Sequence, residues 1–331
     1  MDRAPIIDIA PFLAGDPAGR DAVVRALRSA AEEIGFFAVT GHGVAPEIID
    51  ELYAQARLFF SQTEAQKSLV APPTATYPRG WKAVGFEALS FGNDSATPTD
   101  LKEYYHFGRA DWPTNDAYYT SAEGQQYFHR NIWPNEPAGF AIAADAYYQA
   151  MERLAADLCR IAALALDLDE FFFQNKIDRH ITATRINYYP RQDNPPEEGQ
   201  LRAGAHTDFG MLTILSGENA PGGLQVRTRA GAWVDVPTDP HRFVCNIGDL
   251  LMRWTNDVWV SNVHRVLNPP REIARSTSRI SIGFFQHPNY DALVECIPSC
   301  LRPGESPRYA PVRSGEFRDY KYNVTRDQKA S

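Results

Sequence analysis

Two periods alternate in the apolar positions of the first sixty residues. Ile6 to Ile9 alternate apolar and polar weakly, which predicts a short strand. From Asp21 to Ile34, the residues Ala22, Val23, Leu27, Ala30, Ala31 and Ile34 fall at helical spacing, and Gly35 stands where a C′ glycine ends a helix. Phe36-Phe37-Ala38-Val39-Thr40 reads as a buried strand closed by the turn Gly41-His42-Gly43. Pro46 then opens a second helix, with Ile48, Ile49, Leu52, Tyr53, Ala56 and Phe59 on one side.

Residues 71–135 lose any period. Pro, Gly, Thr and Asn are frequent, and Tyr77, Trp81, Phe86, Phe91, Tyr104, Tyr105 and Phe107 are scattered among them. Loops of this length in a compact domain are uncommon unless functional or disordered, and the aromatic content argues for packed loops beside a pocket. A long helix is predicted from Ala138 to Leu166. After Asp178 the pattern turns to strands: Thr182–Tyr189, Met211–Leu215, Leu224–Val226, Trp233–Val236, Phe243–Ile247, Trp259–Val266 and Ile280–Phe285. Short strands at such intervals predict a sandwich or barrel, and two Greek keys would make an eight-stranded jelly roll. The expectation is an α+β fold: one domain over 1–331, a double-stranded β-helix core at 180–290, and a helical N-terminal half with substrate loops over 4–115.

Composition narrows the partners. A net charge of −8 argues against the basic stripe that nucleic-acid binding needs. No segment approaches the ~20 apolar residues of a membrane helix, and the N-terminus lacks the apolar core of a secretory signal. Cys159, Cys245, Cys296 and Cys300 show no CxxC spacing, which argues against a zinc site or disulfide framework. A cytoplasmic protein acting on a small molecule is expected, with the oligomeric state open and a monomer plausible.

Candidate chemistry centres on Ala205-His206-Thr207-Asp208-Phe209. A His-x-Asp triplet alone says little, since 8 His and 23 Asp in 331 residues predict about 0.6 of them by chance. On an extended segment, however, His206 and Asp208 leave the same face, and an antiparallel neighbour could bring His264 alongside. Two imidazoles and one carboxylate hold a ferrous ion on one side and leave the other open. A structural zinc site would be closed by a fourth ligand, usually including cysteine. The competing reading is a pair of hydrogen-bonded structural histidines and an aspartate at a turn.

The surrounding motifs decide between these. Arg185-Ile186-Asn187-Tyr188-Tyr189-Pro190, Gly204-Ala205-His206-Thr207-Asp208, Gly222-Gly223-Leu224-Gln225-Val226, Trp233-Val234-Asp235-Val236-Pro237, Asn246-Ile247-Gly248-Asp249, His264-Arg265-Val266 and Ser278-Arg279-Ile280-Ser281 follow one another in order. Gly35-Phe36-Phe37, Gly41-His42-Gly43 and Leu101-Lys102-Glu103 precede them. Over most of residues 4–290, the chain resembles the isopenicillin N synthase-like family of Fe(II)- and 2-oxoglutarate-dependent dioxygenases.

The resemblance implies a role for each position. His206, Asp208 and His264 would be the iron ligands. Arg279 would pair with the distal carboxylate of 2-oxoglutarate, with Ser281 adding a hydroxyl; strand alternation puts both on one face, and a guanidinium matches a carboxylate fork. Tyr189 and Asn187 match the family's other cosubstrate contacts. The turn at His42 would be structural. With O2, the implied reaction hydroxylates, or else desaturates or cyclises, a small molecule and releases succinate and CO2. Two alternatives stand beside it: an Fe(II) oxidase that takes no 2-oxoglutarate, as isopenicillin N synthase uses its Arg-x-Ser on its substrate, and a non-catalytic binding protein on the same fold.

Substrate contacts are less constrained. Phe209, Tyr104, His106 and Trp81 are candidates for the substrate side, and Arg79, Lys82 and Arg109 are candidates for pairing with a substrate carboxylate. The stretch from Arg308 to Val324 either covers the barrel mouth or packs as a tail.

Overall fold

Local signals place the helices. Asp16 accepts a hydrogen bond from the Gly19 amide at 2.8 Å, and Pro17 occupies the first turn, so the helix runs Pro17–Glu33, four residues earlier than its apolar period suggested. It must stop at Gly35, where φ is +67° and a Cβ would lie 1.8 Å from the Val260 carbonyl oxygen. A second helix spans Pro46–Phe60 and a long one Phe140–Ala165. The computed structural model describes residues 4–89 and 98–327, so Phe91 lies outside the described residues.

Twelve strands carry the architecture. They are β1 (Ile6–Asp8), β2 (Phe36–Thr40), β3 (Gly80–Lys82), β4 (Glu103–Gly108), β5 (Ala183–Tyr189), β6 (Ala203–His206), β7 (Leu212–Gly217), β8 (Leu224–Arg227), β9 (Trp233–Val236), β10 (Phe243–Ile247), β11 (His264–Val266) and β12 (Arg279–Gln286). The larger sheet runs β1-β2-β10-β7-β12-β5-β4-β3 and the smaller one β6-β11-β8-β9. Strands β5 to β12 thus divide four and four between two sheets, as in a jelly roll. The N-terminal strands extend the larger sheet at both ends.

Each sheet face has its own core. Ile214, Ile282, Phe284, Ile186, Tyr105 and Trp81 on the outer face of the larger sheet pack against the helices in the main apolar core. Between the sheets a second cluster joins Phe36, Tyr189, Ala203, Leu224, Val226, Val244 and Val266. This inner space is only partly apolar. Register places Asn246, Thr213, Arg279, Ser281, Arg185, Asn187, Tyr104 and His106 on the same inner face.

Two sequence expectations change. The strand expected over Trp259–Val266 begins only at His264. Asn256 and Asp257 both take positive φ, and Trp259 and Val260 direct their amides to Thr255 Oγ1 and the Ala31 carbonyl, so the stretch crosses between layers. Conversely, Glu103–Gly108 lies in the region expected to be loops, yet all six residues are buried in a strand. Its polar residues are buried in pairs: Glu103 takes both Lys67 Nζ and Trp81 Nε1. With both faces covered, the apolar–polar alternation that marks a strand disappears.

Candidate metal centre

His206 ends β6 and lies directly opposite His264 on β11, so the antiparallel ladder sets the two imidazoles side by side with ring centroids 4.3 Å apart. Asp208 lies two residues beyond, past the end of the strand. Its two oxygens are 3.9 Å from His206 Nε2 and 3.8 Å from His264 Nε2. One ligand atom from each residue fits within a mutual distance of 4.8 Å. Each imidazole Nδ1 faces a backbone carbonyl, Gly204 O at 2.7 Å for His206 and Asn262 O at 3.2 Å for His264. That orients both Nε2 lone pairs toward the shared space, the arrangement a metal requires.

The surroundings hold these groups in their binding forms. Burial, and then the neighbouring His264, push the His206 imidazole down to about 3, so it is neutral at physiological pH. Burial alone would raise the Asp208 carboxyl. The imidazoles of His264 and His206, with hydrogen bonds from Thr213 and from Asn246 Nδ2 at 2.8 Å, outweigh it and hold the group below its usual range. Gly248 makes the approach possible, since a Cβ there would lie 2.2 Å from the Gly210 carbonyl oxygen.

Asp249 ties this loop to the rest of the molecule. Its carboxylate accepts from Thr207 Oγ1 at 3.1 Å and Ser261 Oγ at 2.7 Å, and pairs with Lys321 Nζ at 2.7 Å. Lys321 belongs to the helix Ser314–Asp327, whose Tyr322 meets Phe209 edge-on at 5.5 Å. The C-terminal stretch therefore packs against the loop that carries Asp208. Sequence spacing does not single out Asn246, Thr213 or Asp249 as supporting groups; the motif Asn246–Asp249 points at its two end residues and nothing points at Thr213.

A second polar pocket faces the same inner space. Arg279 is 1% exposed; its Nε donates to the Glu218 carbonyl at 3.1 Å and its Nη2 to Thr238 Oγ1 at 3.3 Å. Its Nη1 has no protein acceptor among the described residues. Ser281 shares its strand face, and Tyr189 and Asn187 lie opposite them on β5. The buried Asn187 Oδ1 has no partner among the described residues. A guanidinium edge and a hydroxyl on one face suit a carboxylate-bearing cosubstrate.

The expected substrate residues separate. Phe209 lies beside Tyr322 and under Lys321. Tyr104 and His106 point to the inner face, Tyr104 donating to Glu87 Oε2 at 3.2 Å and His106 Nδ1 meeting the Pro78 carbonyl. Trp81 corrects the expectation. It pairs with Tyr105, alternation turns it to the helical layer, and its Nε1 donates to Glu103 at 2.5 Å. His42 makes turn contacts, with Nε2 near the His241 carbonyl and Nδ1 accepting from the Val44 amide.

Two known families match parts of the chain. Residues 4–136 match the N-terminal family of the non-haem dioxygenase in morphine synthesis, and residues 181–288 match the 2OG-Fe(II) oxygenase superfamily. A 2-oxoglutarate-Fe(II) type oxidoreductase of Emericella nidulans is 33% identical over 315 residues, covering 93% of this chain and 86% of the relative. A homoarginine-6-hydroxylase of Glycine max is 33% identical over 304 residues, covering 88% and 87%. Among solved structures, a full-length Neurospora crassa protein in complex with alpha-KG is similar with a TM-score of 0.83 at 28% identity, covering 97% of this chain and 96% of that one. The chain belongs to the 2OG-Fe(II) oxygenases. It is an oxidoreductase that uses Fe(II) and 2-oxoglutarate on a double-stranded β-helix core. No helix among the described residues is long and apolar enough to cross a membrane.

Proposed function

We propose that this enzyme hydroxylates a C–H bond of a small organic molecule, with His206, Asp208 and His264 holding the iron and Arg279 and Ser281 anchoring 2-oxoglutarate. The observation that carries the reading is the juxtaposition itself: two oriented Nε2 atoms and a carboxylate within 4.8 Å, facing a barrel interior that also contains a guanidinium edge without a protein acceptor. When bound, Fe(II) with 2-oxoglutarate and dioxygen supplies the oxidising power, and the cosubstrate leaves as succinate and CO2.

The chain's own residues position and protect. Asn246 and Thr213 hold Asp208 in place by hydrogen bonds, and the two backbone carbonyls set the imidazole tautomers. Tyr189 and Asn187 flank the Arg279 end of the pocket. Phe209 and Tyr322 provide an apolar wall beside the loop of Asp208.

Hydroxylation at this centre requires the triad. Succinate release under Fe(II), 2-oxoglutarate and O2 should fall at least about 10³-fold in His206→Ala, since loss of a ligand removes both the metal and its Lewis-acid role. Calorimetry with Mn(II) should show the lost metal affinity directly. Unchanged turnover and metal binding in the variant would sink the proposal.

A further inference from the structure

Arg79, Lys82 and Arg109 all offer themselves from sequence as partners for a substrate carboxylate, and the folded chain treats them differently. Arg109 is engaged by Glu152, whose Oε1 accepts from Nε at 3.1 Å and from Nη2 at 2.7 Å. Lys82 lies over the Phe86 ring, 4.1 Å from its centroid. Arg79 is 5% exposed and has no hydrogen bond or ion pair with any described residue, and its Nε is buried without an acceptor.

The placement of Arg79 is built. Its guanidinium lies against Gly108, where a Cβ would come within 2.4 Å of Nη2 and 2.7 Å of Cζ, so glycine makes the space it occupies. Gly108 follows Tyr104 and His106 in the alternation of β4, which puts the guanidinium on the inner face of the barrel. The preceding carbonyl, Pro78 O, meets His106 Nδ1 and fixes the backbone there. Arg79's strongest electrostatic neighbours are Tyr148, Arg318, Tyr77 and Tyr322, and none is a carboxylate or a metal ligand. Burial pulls its pKa down to about 10, which leaves it cationic at neutral pH.

Tyr322 links this place to the metal centre. It lies near Arg79 and also meets Phe209, the residue after Asp208. A buried guanidinium without an anion is costly, and an organic ligand that brings a carboxylate removes that cost while gaining two parallel charge-assisted hydrogen bonds. A single planar fork matches the two oxygens of one carboxylate.

We propose that Arg79 anchors the carboxylate of a small organic acid, so that the enzyme's substrate is a monocarboxylate held by its acid group on the inner face of the barrel. This rests on the oxygenase reading above and names the substrate class for that site.

The test uses the whole enzyme, anaerobic and loaded with Fe(II) and saturating 2-oxoglutarate, so that Arg279 is already engaged. Benzoate, cyclohexanecarboxylate and 1-naphthoate are titrated calorimetrically beside their primary amides. At least one acid should bind tenfold or more tightly than its amide, and Arg79→Gln should reduce that preference to within a factor of two. If Arg79→Gln does not fold, Arg79→Lys decides: keeping the charge but losing the fork must weaken the preference several-fold. The proposal is overturned if no acid is preferred over its amide, or if the preference survives in the variant. A prior titration of 2-oxoglutarate into the Fe(II)-loaded enzyme gives its own isotherm. Its absence would count against the oxygenase reading, whereas its presence without acid preference would count against Arg79 alone.

Discussion

Arg185 and Arg79 lie on the same inner face of the larger sheet, and the protein solvates them in opposite ways. Arg185 stacks over Tyr104 at 4.2 Å and donates to Glu87 Oε1 at 2.7 Å; the same oxygen lies 3.0 Å from Lys102 Nζ, and Lys102 also reaches Asp100 at 3.1 Å. Burial alone would raise the Glu87 carboxyl, but Arg185 and Lys102 hold it well below the usual range. Arg79, only a few residues upstream of Glu87, meets no anion at all among the described residues. The difference separates a cation that completes the structure from one left for a ligand.

The largest expected effect comes from making Arg185 resemble Arg79. Glu87→Gln leaves Arg185 without its ion-pair partner and Lys102, 3% exposed, with Asp100 only. Removing one member of such a buried network should cost about 3 kcal/mol, read as a shift of the urea unfolding midpoint at constant slope. A loss below about 1 kcal/mol would mean that the network is screened like a surface pair, and the contrast would fail.

Arg279 provides the next comparison, because it is an inner-face guanidinium held only by neutral acceptors, the Glu218 carbonyl and Thr238 Oγ1. Its anion is the cosubstrate on the proposed reading. Arg279→Gln should weaken 2-oxoglutarate binding about 100-fold, near the value of one lost charge-assisted pair, with Arg279→Lys between the two. Equal affinity in the glutamine variant would leave the cosubstrate without its anchor and reopen the assignment.

Protonation sharpens the same picture by a smaller amount. His287 is buried, and burial, then the positive charge of Arg318, push its imidazole down to about 3. An unfolded histidine takes up its proton near pH 6.5, whereas this one stays neutral until about 3. Stability from this group is therefore intact above pH 6.5 and is lost as pH falls through the window toward 3, at up to about 1.4 kcal/mol per pH unit. In His287→Gln the slope of unfolding free energy between pH 6 and 4 should drop by about one proton. An unchanged slope would show that the histidine charges freely in the folded state.

Sequence patterns reached the regular part of this site and stopped at its irregular part. His206, His264, Arg279 and Ser281 lie on strands, where a period of two and a ladder register translate spacing into proximity. The Trp81 and Arg79 assignments could not be separated in that way. Trp81 turns to the helical layer through pairing with Tyr105, and the Gly80 φ of +91° breaks the alternation just before it. Nor could spacing reveal that Arg109 is neutralised from the helix Phe140–Ala165 by Glu152, or that Lys321 reaches Asp249 from the far end of the chain. Those partners are set by how layers pack, and no local period records them.

The smallest effect bears most directly on what Arg79 is for. If its buried charge serves a ligand, the free enzyme carries it at a net cost, as sites organised for function often do. An apolar side chain of similar length should then make the free protein more stable. Arg79→Met keeps most of the stem that fills the space beside Gly108 and removes a charge that has no partner. The expected gain is about 1 kcal/mol in the ligand-free state, which for a chain of this size moves the melting temperature by roughly 1–2 °C. An acid that raises the melting temperature of the native enzyme should do so less in this variant, narrowing or reversing the difference between them. Were Arg79→Met instead destabilised by about 2 kcal/mol or more without ligand, the guanidinium would be serving the fold. Arg79 would then belong with Arg185, and the contrast between the two cations would be one of partner type alone.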